Sequence, residues 1–107
     1  MESVFLKFVG DTPVTRLLNF LIIGRKFDYT LTDLANKAGI SWTTLNRIFP
    51  KLRDQKIVVE VRQIGRARLY KLNVGNPNVK KMIELHKGIL LENLKMMAGE
   101  KLIEVQA

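Results

Sequence analysis

Between Ser41 and Leu52 the chain reads SWTTLNRIFPKL. Leu45, Ile48, Phe49 and Leu52 recur at helical spacing and fall on one side at 100° per residue, while Thr43, Arg47 and Pro50 point nearly opposite, flanked by Asn46 and Lys51. Asparagine and arginine carry paired hydrogen-bonding groups that match adenine and guanine edges in a major groove. Threonine can bond a base or a phosphate, or touch a thymine methyl. An ordinary solvated helix presents a similar face. Three neighbours favour the base-reading alternative: a tight turn before the helix, a basic hairpin after it, and a local excess of positive charge. Pro50 deletes one helical hydrogen bond and crowds the preceding turn, so its face must be exposed or the helix kinked; either way Ser41 to Phe49 stays regular. Trp42 lies near the edge of the apolar side, where it either covers the core or rests against a sugar-phosphate backbone.

The charge excess is specific in its position. The chain of 107 residues carries 18 basic and 10 acidic side chains, a net charge of +8. Residues 1–40 and 78–107 are each nearly balanced, whereas the window from Ser41 to Lys71 holds Arg47, Lys51, Arg53, Lys56, Arg62, Arg66, Arg68 and Lys71 against only Asp54 and Glu60. Balanced ends serve solubility; a concentrated basic window suits a polyanionic partner. There is no cysteine, which removes disulfides and thiolate metal sites and fits a reducing, cytoplasmic setting. No apolar run reaches the roughly 18 residues a membrane span needs. The start, MESVFLKFVGD, lacks the basic region of a secretory signal. A soluble cytoplasmic protein of one compact domain is expected.

The elements that must position the basic window follow from punctuation. SVFLKFV reads as a short helix, followed by GDTP, where Asp11 or Thr12 can cap and Pro13 suits a first turn. Val14, Leu17, Leu18, Leu21 and Ile22 then mark an amphipathic helix ending at Gly24. A further helix is expected from a Thr32 cap, with Leu34, Ala35 and Ala38 as its apolar side and Gly39 as its end. Ser41 caps the next one, so the two form a helix-turn-helix unit. IVVEVRQI and ARLYKL are rich in β-branched and aromatic residues and flank Gly65-Arg66, which predicts a hairpin with glycine first in the turn. After NVGNPN a helix is expected from about Pro77 to Ala98, closed by Gly99.

The run LTDLANKAGISWTTLNRIFPKLRDQKIV, followed by VRQIGRARLYKLN, resembles the helix-turn-helix and wing of prokaryotic winged-helix transcription regulators, the broad class of the ArsR-like and MarR-like families. The resemblance covers roughly residues 12–73. Its most specific points are Leu34-Ala35, Gly39-Ile40-Ser41, the Leu45 to Leu52 spacing and the returning strand Arg66 to Asn73. It implies that Ser41 to Lys51 is the recognition helix and that Arg62, Gly65, Arg66 and Arg68 form the wing. Lys56 departs from the pattern: such proteins often have glycine there, and without it a left-handed cap is costlier, so a differently built helix end is expected. Metal-sensing members use cysteine or histidine clusters, which this chain lacks, so no metal or cofactor is expected.

On the C-terminal helix Val79, Ile83, His86, Leu90, Leu94 and Met97 recur every three or four residues. A second copy of the same helix is the simplest cover for such a stripe; packing along its own domain is the alternative. His86 is expected to be a hydrogen-bonded core or interface residue rather than a metal ligand. The expectation is therefore a mainly α fold with a small β-hairpin wing: a winged helix-turn-helix unit over residues 1–76 and a C-terminal dimerisation helix over 77–107. The expected function is sequence-specific binding of double-stranded DNA as a homodimer. Ser41, Trp42 and Gly65 are expected among the DNA-binding residues of the recognition helix and wing; Thr43, Thr44, Asn46 and Arg47 would read base edges, and Lys51, Arg53, Arg62, Arg66 and Arg68 neutralise phosphates. A protein- or RNA-interaction module of a larger assembly is the alternative. No Ser/His/Asp set, phosphate loop or supported carboxylate pair points to an enzyme.

Overall fold

A computed structural model describes the backbone of residues 3–106 and the side chains of residues 3–99. Its elements run α1 (Val4–Val9), α2 (Pro13–Ile23), α3 (Leu31–Ala38), α4 (Trp42–Asp54), β1 (Val58–Ile64), β2 (Ala67–Leu72) and α5 (Pro77–Gln106). Ser3 caps α1, and Thr12 caps α2 through a reciprocal box with Thr15 that leaves Pro13 in the first turn. α3 starts earlier than expected. Its cap is Thr30, not Thr32, because Asp33 stands three residues after Thr30 and its carboxylate accepts from the Thr30 amide.

The α3–α4 turn is eased by Gly39, whose φ of +70° lies in the left-handed region that strains a residue with a side chain. From there the Ile40 amide reaches back to the Ala35 carbonyl, and Ser41 Oγ accepts from the Thr44 amide to open α4. Leu45, Ile48, Phe49 and Leu52 are buried, whereas Pro50 faces solvent within a helix that continues to Asp54. The end of α4 differs from expectation. Lys56 itself takes the left-handed conformation, φ +58°, and the Ile57 amide bonds the Leu52 carbonyl across it. Asn73 and Asn76 hold this turn by donating their side-chain amides to the Lys56 carbonyl, at 3.0 and 3.1 Å.

β1 and β2 pair antiparallel, with a bulge between Glu60 and Arg62 and Gly65 at φ +60° in the turn. Tyr29 joins them through two backbone hydrogen bonds to Tyr70, which ties the α2–α3 connection to the hairpin. Leu17, Leu21, Ile22, Leu34, Leu45, Phe49, Val58, Tyr70 and Leu72 form the centre of one core. Val79 of α5 completes it at 0 % exposure. α5 also runs past its expected end at Gly99: glycine costs a helix only about 1 kcal/mol, and the following EKLIEVQ contains no breaker. No helix among the described residues is long and apolar enough to cross a membrane.

Candidate nucleic-acid interface

The first turn of α4 is built by its own side chains. Ser41 Oγ accepts from the Thr44 amide at 3.1 Å and meets Thr44 Oγ1 at 2.9 Å, so these two residues are occupied in opening the helix. Asn46 donates its side-chain amide to the Trp42 carbonyl at 2.8 Å, which leaves its oxygen free; pairing with both groups of an adenine edge requires that donor to turn outward. Thr43, Arg47 and Lys51 recur every four residues along the outer side of α4, exposed and without a side-chain partner among the described residues. Arg53 is likewise exposed and unpaired near the helix end.

Trp42 is 53 % exposed and lies toward the hairpin. It lines a cleft of about 290 Å³ with Thr32, Arg66, Ala67 and Arg68, so the start of the helix and the returning strand border one concavity. Arg66 stands beside Gly65 at the hairpin tip, exposed and unpaired among the described residues. Gln63 braces that turn through a hydrogen bond to the Gly65 carbonyl. Arg68 faces Glu60 across the strands at 3.6 Å, too long for a strong hydrogen bond.

Arg62 departs from its expected place among the free cations. Its guanidinium grips the Asp28 carboxylate through two hydrogen bonds, Nε–Oδ2 at 2.6 Å and Nη2–Oδ1 at 3.0 Å. The pair holds the Asp28 carboxyl below its usual value of 3.8, chiefly through the Arg62 hydrogen bond, and raises Arg62. No spacing in the sequence links residues 28 and 62. The Tyr29–Tyr70 bridge brings the loop to the strand and so makes the pair possible. Thr32, in the first turn of α3, also lines the cleft, a place that no spacing in the sequence ties to the hairpin.

The stripe on α5 divides. Val79 is in the core, Ile83 packs against it, and His86 is 6 % exposed, its Nε2 at 2.9 Å from Asn19 Oδ1 and its ring 4.7 Å from that of Phe5. Burial, and then Arg25, push the imidazole below its usual pKa. Val79 and His86 face their own chain, and Ile83 packs on the core with one side open, because the first ten residues of α5 lie against α1 and the core. Leu90, Leu94 and Met97 remain exposed. No group of metal-ligating side chains large enough for an ion occurs among the described residues.

A helix-turn-helix whose second helix shares a concavity with a β-hairpin is a diagnostic arrangement, and solved structures match it. MepR, a transcription regulator of the Staphylococcus aureus multidrug efflux pump MepA, superposes with a TM-score of 0.65 at 16 % identity over 89 % of this chain and 68 % of its own. AntR, an antimony-specific transcriptional repressor, gives 0.60 at 26 % identity over 86 % and 78 %. NolR from Sinorhizobium fredii gives 0.60 at 26 % over 80 % of both chains. The fold is that of the winged-helix transcription regulators. No family model and no curated protein matches the sequence itself. In winged-helix terms α3 and α4 are the helix-turn-helix, β1 and β2 the wing, and the Asp28–Arg62 pair fastens the wing to the loop before α3.

Proposed function

We propose that the chain is a homodimeric, sequence-specific double-stranded DNA-binding transcription regulator. The observation that carries this reading is the row Thr43, Arg47 and Lys51, exposed and unpaired among the described residues, on a capped helix beside Trp42 and Arg66. Such a row suits a major groove, with Thr43 and Arg47 toward base edges and Lys51 and Arg53 toward phosphates. Arg66 and Arg68 suit the adjacent backbone. Ser41 and Thr44 act through the helix cap, and Asn46 reads a base once its amide turns from the Trp42 carbonyl. Arg62 fixes the wing rather than touching phosphate.

Residues 1–76 would carry duplex binding and residues 77–107 pairing, with Val79, Ile83 and His86 anchoring α5 to its own core. An open groove of about 1090 Å³ between α1 and α5, lined by Phe8, Leu85, Ile89, Met96 and Met97, supports pairing with a second copy. Phe8, 72 % exposed there, is an apolar side chain that a second copy would cover. The relatives named as transcription regulators support the same reading.

The deciding experiment is selection of bound sites from a random duplex pool. An inverted repeat with half-sites about one helical turn apart is expected. Output without a consensus at moderate salt would instead favour a protein- or RNA-interaction module.

A further inference from the structure

One cleft away from the recognition helix gathers an excess of positive charge. Arg25 and Lys26 from the turn after α2, Lys71 from β2 and Lys80 from the first turn of α5 line an open depression of about 610 Å³ in which Glu84 is the one carboxylate. None of these five side chains has an ion-pair partner among the described residues, whereas Arg16, Arg62 and Arg68 each face a carboxylate. Lys80 and Glu84 stand four residues apart on one helix, the spacing at which opposite charges usually meet, and still do not pair. Arg25 is anchored: its Nη1 donates to the Ile22 carbonyl at 2.8 Å, which leaves its remaining N–H groups for a ligand. Val74, half exposed, and Ile83, half buried, are the apolar side chains of its lining.

Four cations against one carboxylate in the cleft, with only Lys71 also feeling Asp28, repel one another, and a ligand carrying several negative charges relieves those repulsions at once. Phosphate suits the set, since an arginine fork and lysine point charges are its common protein partners. Val74 and Ile83 add apolar surface that an organic group can cover and a pure inorganic anion cannot. The cleft is also separate from the duplex-facing row. No residue from Ser41 to Arg68 lines it, and Lys71 stands about 13 Å along β2 from Ala67 at the wing tip. From this geometry we infer that the cleft binds a small phosphorylated organic molecule, its phosphates among Arg25, Lys26, Lys71 and Lys80 and its apolar or planar part over Val74 and Ile83. The inference does not rest on duplex binding.

The test titrates the isotope-labelled full chain with tripolyphosphate and with adenosine triphosphate, without divalent cations, at a constant ionic strength of about 0.15 M. Saturable amide shifts are expected around residues 25–26, 71 and 80, with the nucleotide binding more tightly than tripolyphosphate. Lys26→Gln and Lys80→Gln should each weaken binding about threefold, the size of an exposed charge pair, and the double variant about tenfold. Glu84→Gln should tighten it by a similar factor, a gain that no folding defect can imitate. Arg47→Ala and Arg66→Ala should leave it unchanged. No saturation below about 10 mM would overturn the site. So would shifts centred on residues 41–68, or indifference to Lys26, Lys80 and Glu84 together. Equal affinity for the two probes would overturn the organic part of the assignment.

Discussion

Replacing Lys56 with glycine should stabilise the protein. Lys56 holds φ +58°, a conformation that costs a residue with a side chain about 1–2 kcal/mol. Its structural contacts run through the backbone: its amide donates to the Arg53 carbonyl, and its own carbonyl accepts from Asn73 and Asn76. The side chain is exposed and unpaired among the described residues, so removing it breaks none of these contacts. Against the relieved strain stands the larger freedom of glycine in the unfolded chain, about 0.5–1 kcal/mol. The balance favours Lys56→Gly by about 0.5–1 kcal/mol, which for a domain of this size raises Tm by roughly 2–6 °C. Thermal unfolding followed by circular dichroism would measure it, at one fixed protein concentration because association adds to apparent stability. Lys56→Ala, which keeps the strain, should leave Tm nearly unchanged. A Tm that falls in Lys56→Gly, or rises as far in Lys56→Ala, would refute the reasoning, since backbone strain would then not be what glycine relieves.

The two halves of the duplex-facing surface should respond differently. Arg47→Ala should cost about 1–3 kcal/mol on the selected site and flatten its preference at one position, whereas Arg66→Ala should weaken all duplexes alike and reduce the salt slope by about one; a salt series on selected and scrambled duplexes separates them. Acid should weaken the fold through His86. Its folded pKa lies below the unfolded 6.5, so the unfolded chain takes the proton first and stability, complete above pH 6.5, falls as pH drops through that value toward the folded one. Asp11 and Asp28, whose folded values are lowered from 3.8, lose their contribution only at more acidic pH, so denaturant titrations between pH 7 and 5 should show a loss that His86→Leu abolishes. Leu90→Lys with Leu94→Lys should yield a monomer by light scattering with helicity unchanged by circular dichroism; a persisting dimer would move pairing away from the outer half of α5.

Local signals made most of the fold legible. The Thr12-Pro13 start, the Gly39 and Ser41 turn and the Gly65 hairpin are chemical requirements confined to a few residues, and each appears where its residue types demand. Where two local signals competed, the reading slipped: Thr30 and Thr32 are both good caps, and Asp33 decides between them. Lys56 shows the opposite failure. Glycine is the usual occupant of a left-handed position, yet Asn73 and Asn76, seventeen and twenty residues on, hold that turn in place for lysine. The Asp28–Arg62 pair was illegible for the same reason, since it depends on a strand bridge between distant tyrosines.

The α5 stripe carries the sharpest lesson about what periodicity means. A repeat of apolar residues every three or four positions establishes that a face is covered, but not by whose atoms. Val79 and His86 are covered by their own chain, so cutting after Asn76 would remove part of the core and could not report on pairing. Leu94, 60 % exposed, lies on the same rigid helix two turns beyond His86. In the proposed dimer that continuity has a geometric consequence. One helix both packs into the duplex-binding unit and carries the pairing surface, so the separation of the two recognition helices is fixed by α5 rather than by a flexible linker. Inserting one alanine after Gly88 rotates the outer apolar face by about 100° relative to Val79, whereas inserting four restores its direction to within about 40°. Preference for the selected inverted repeat should therefore collapse with one residue and partly return with four. Equal tolerance of both insertions would mean that the two units are not rigidly joined.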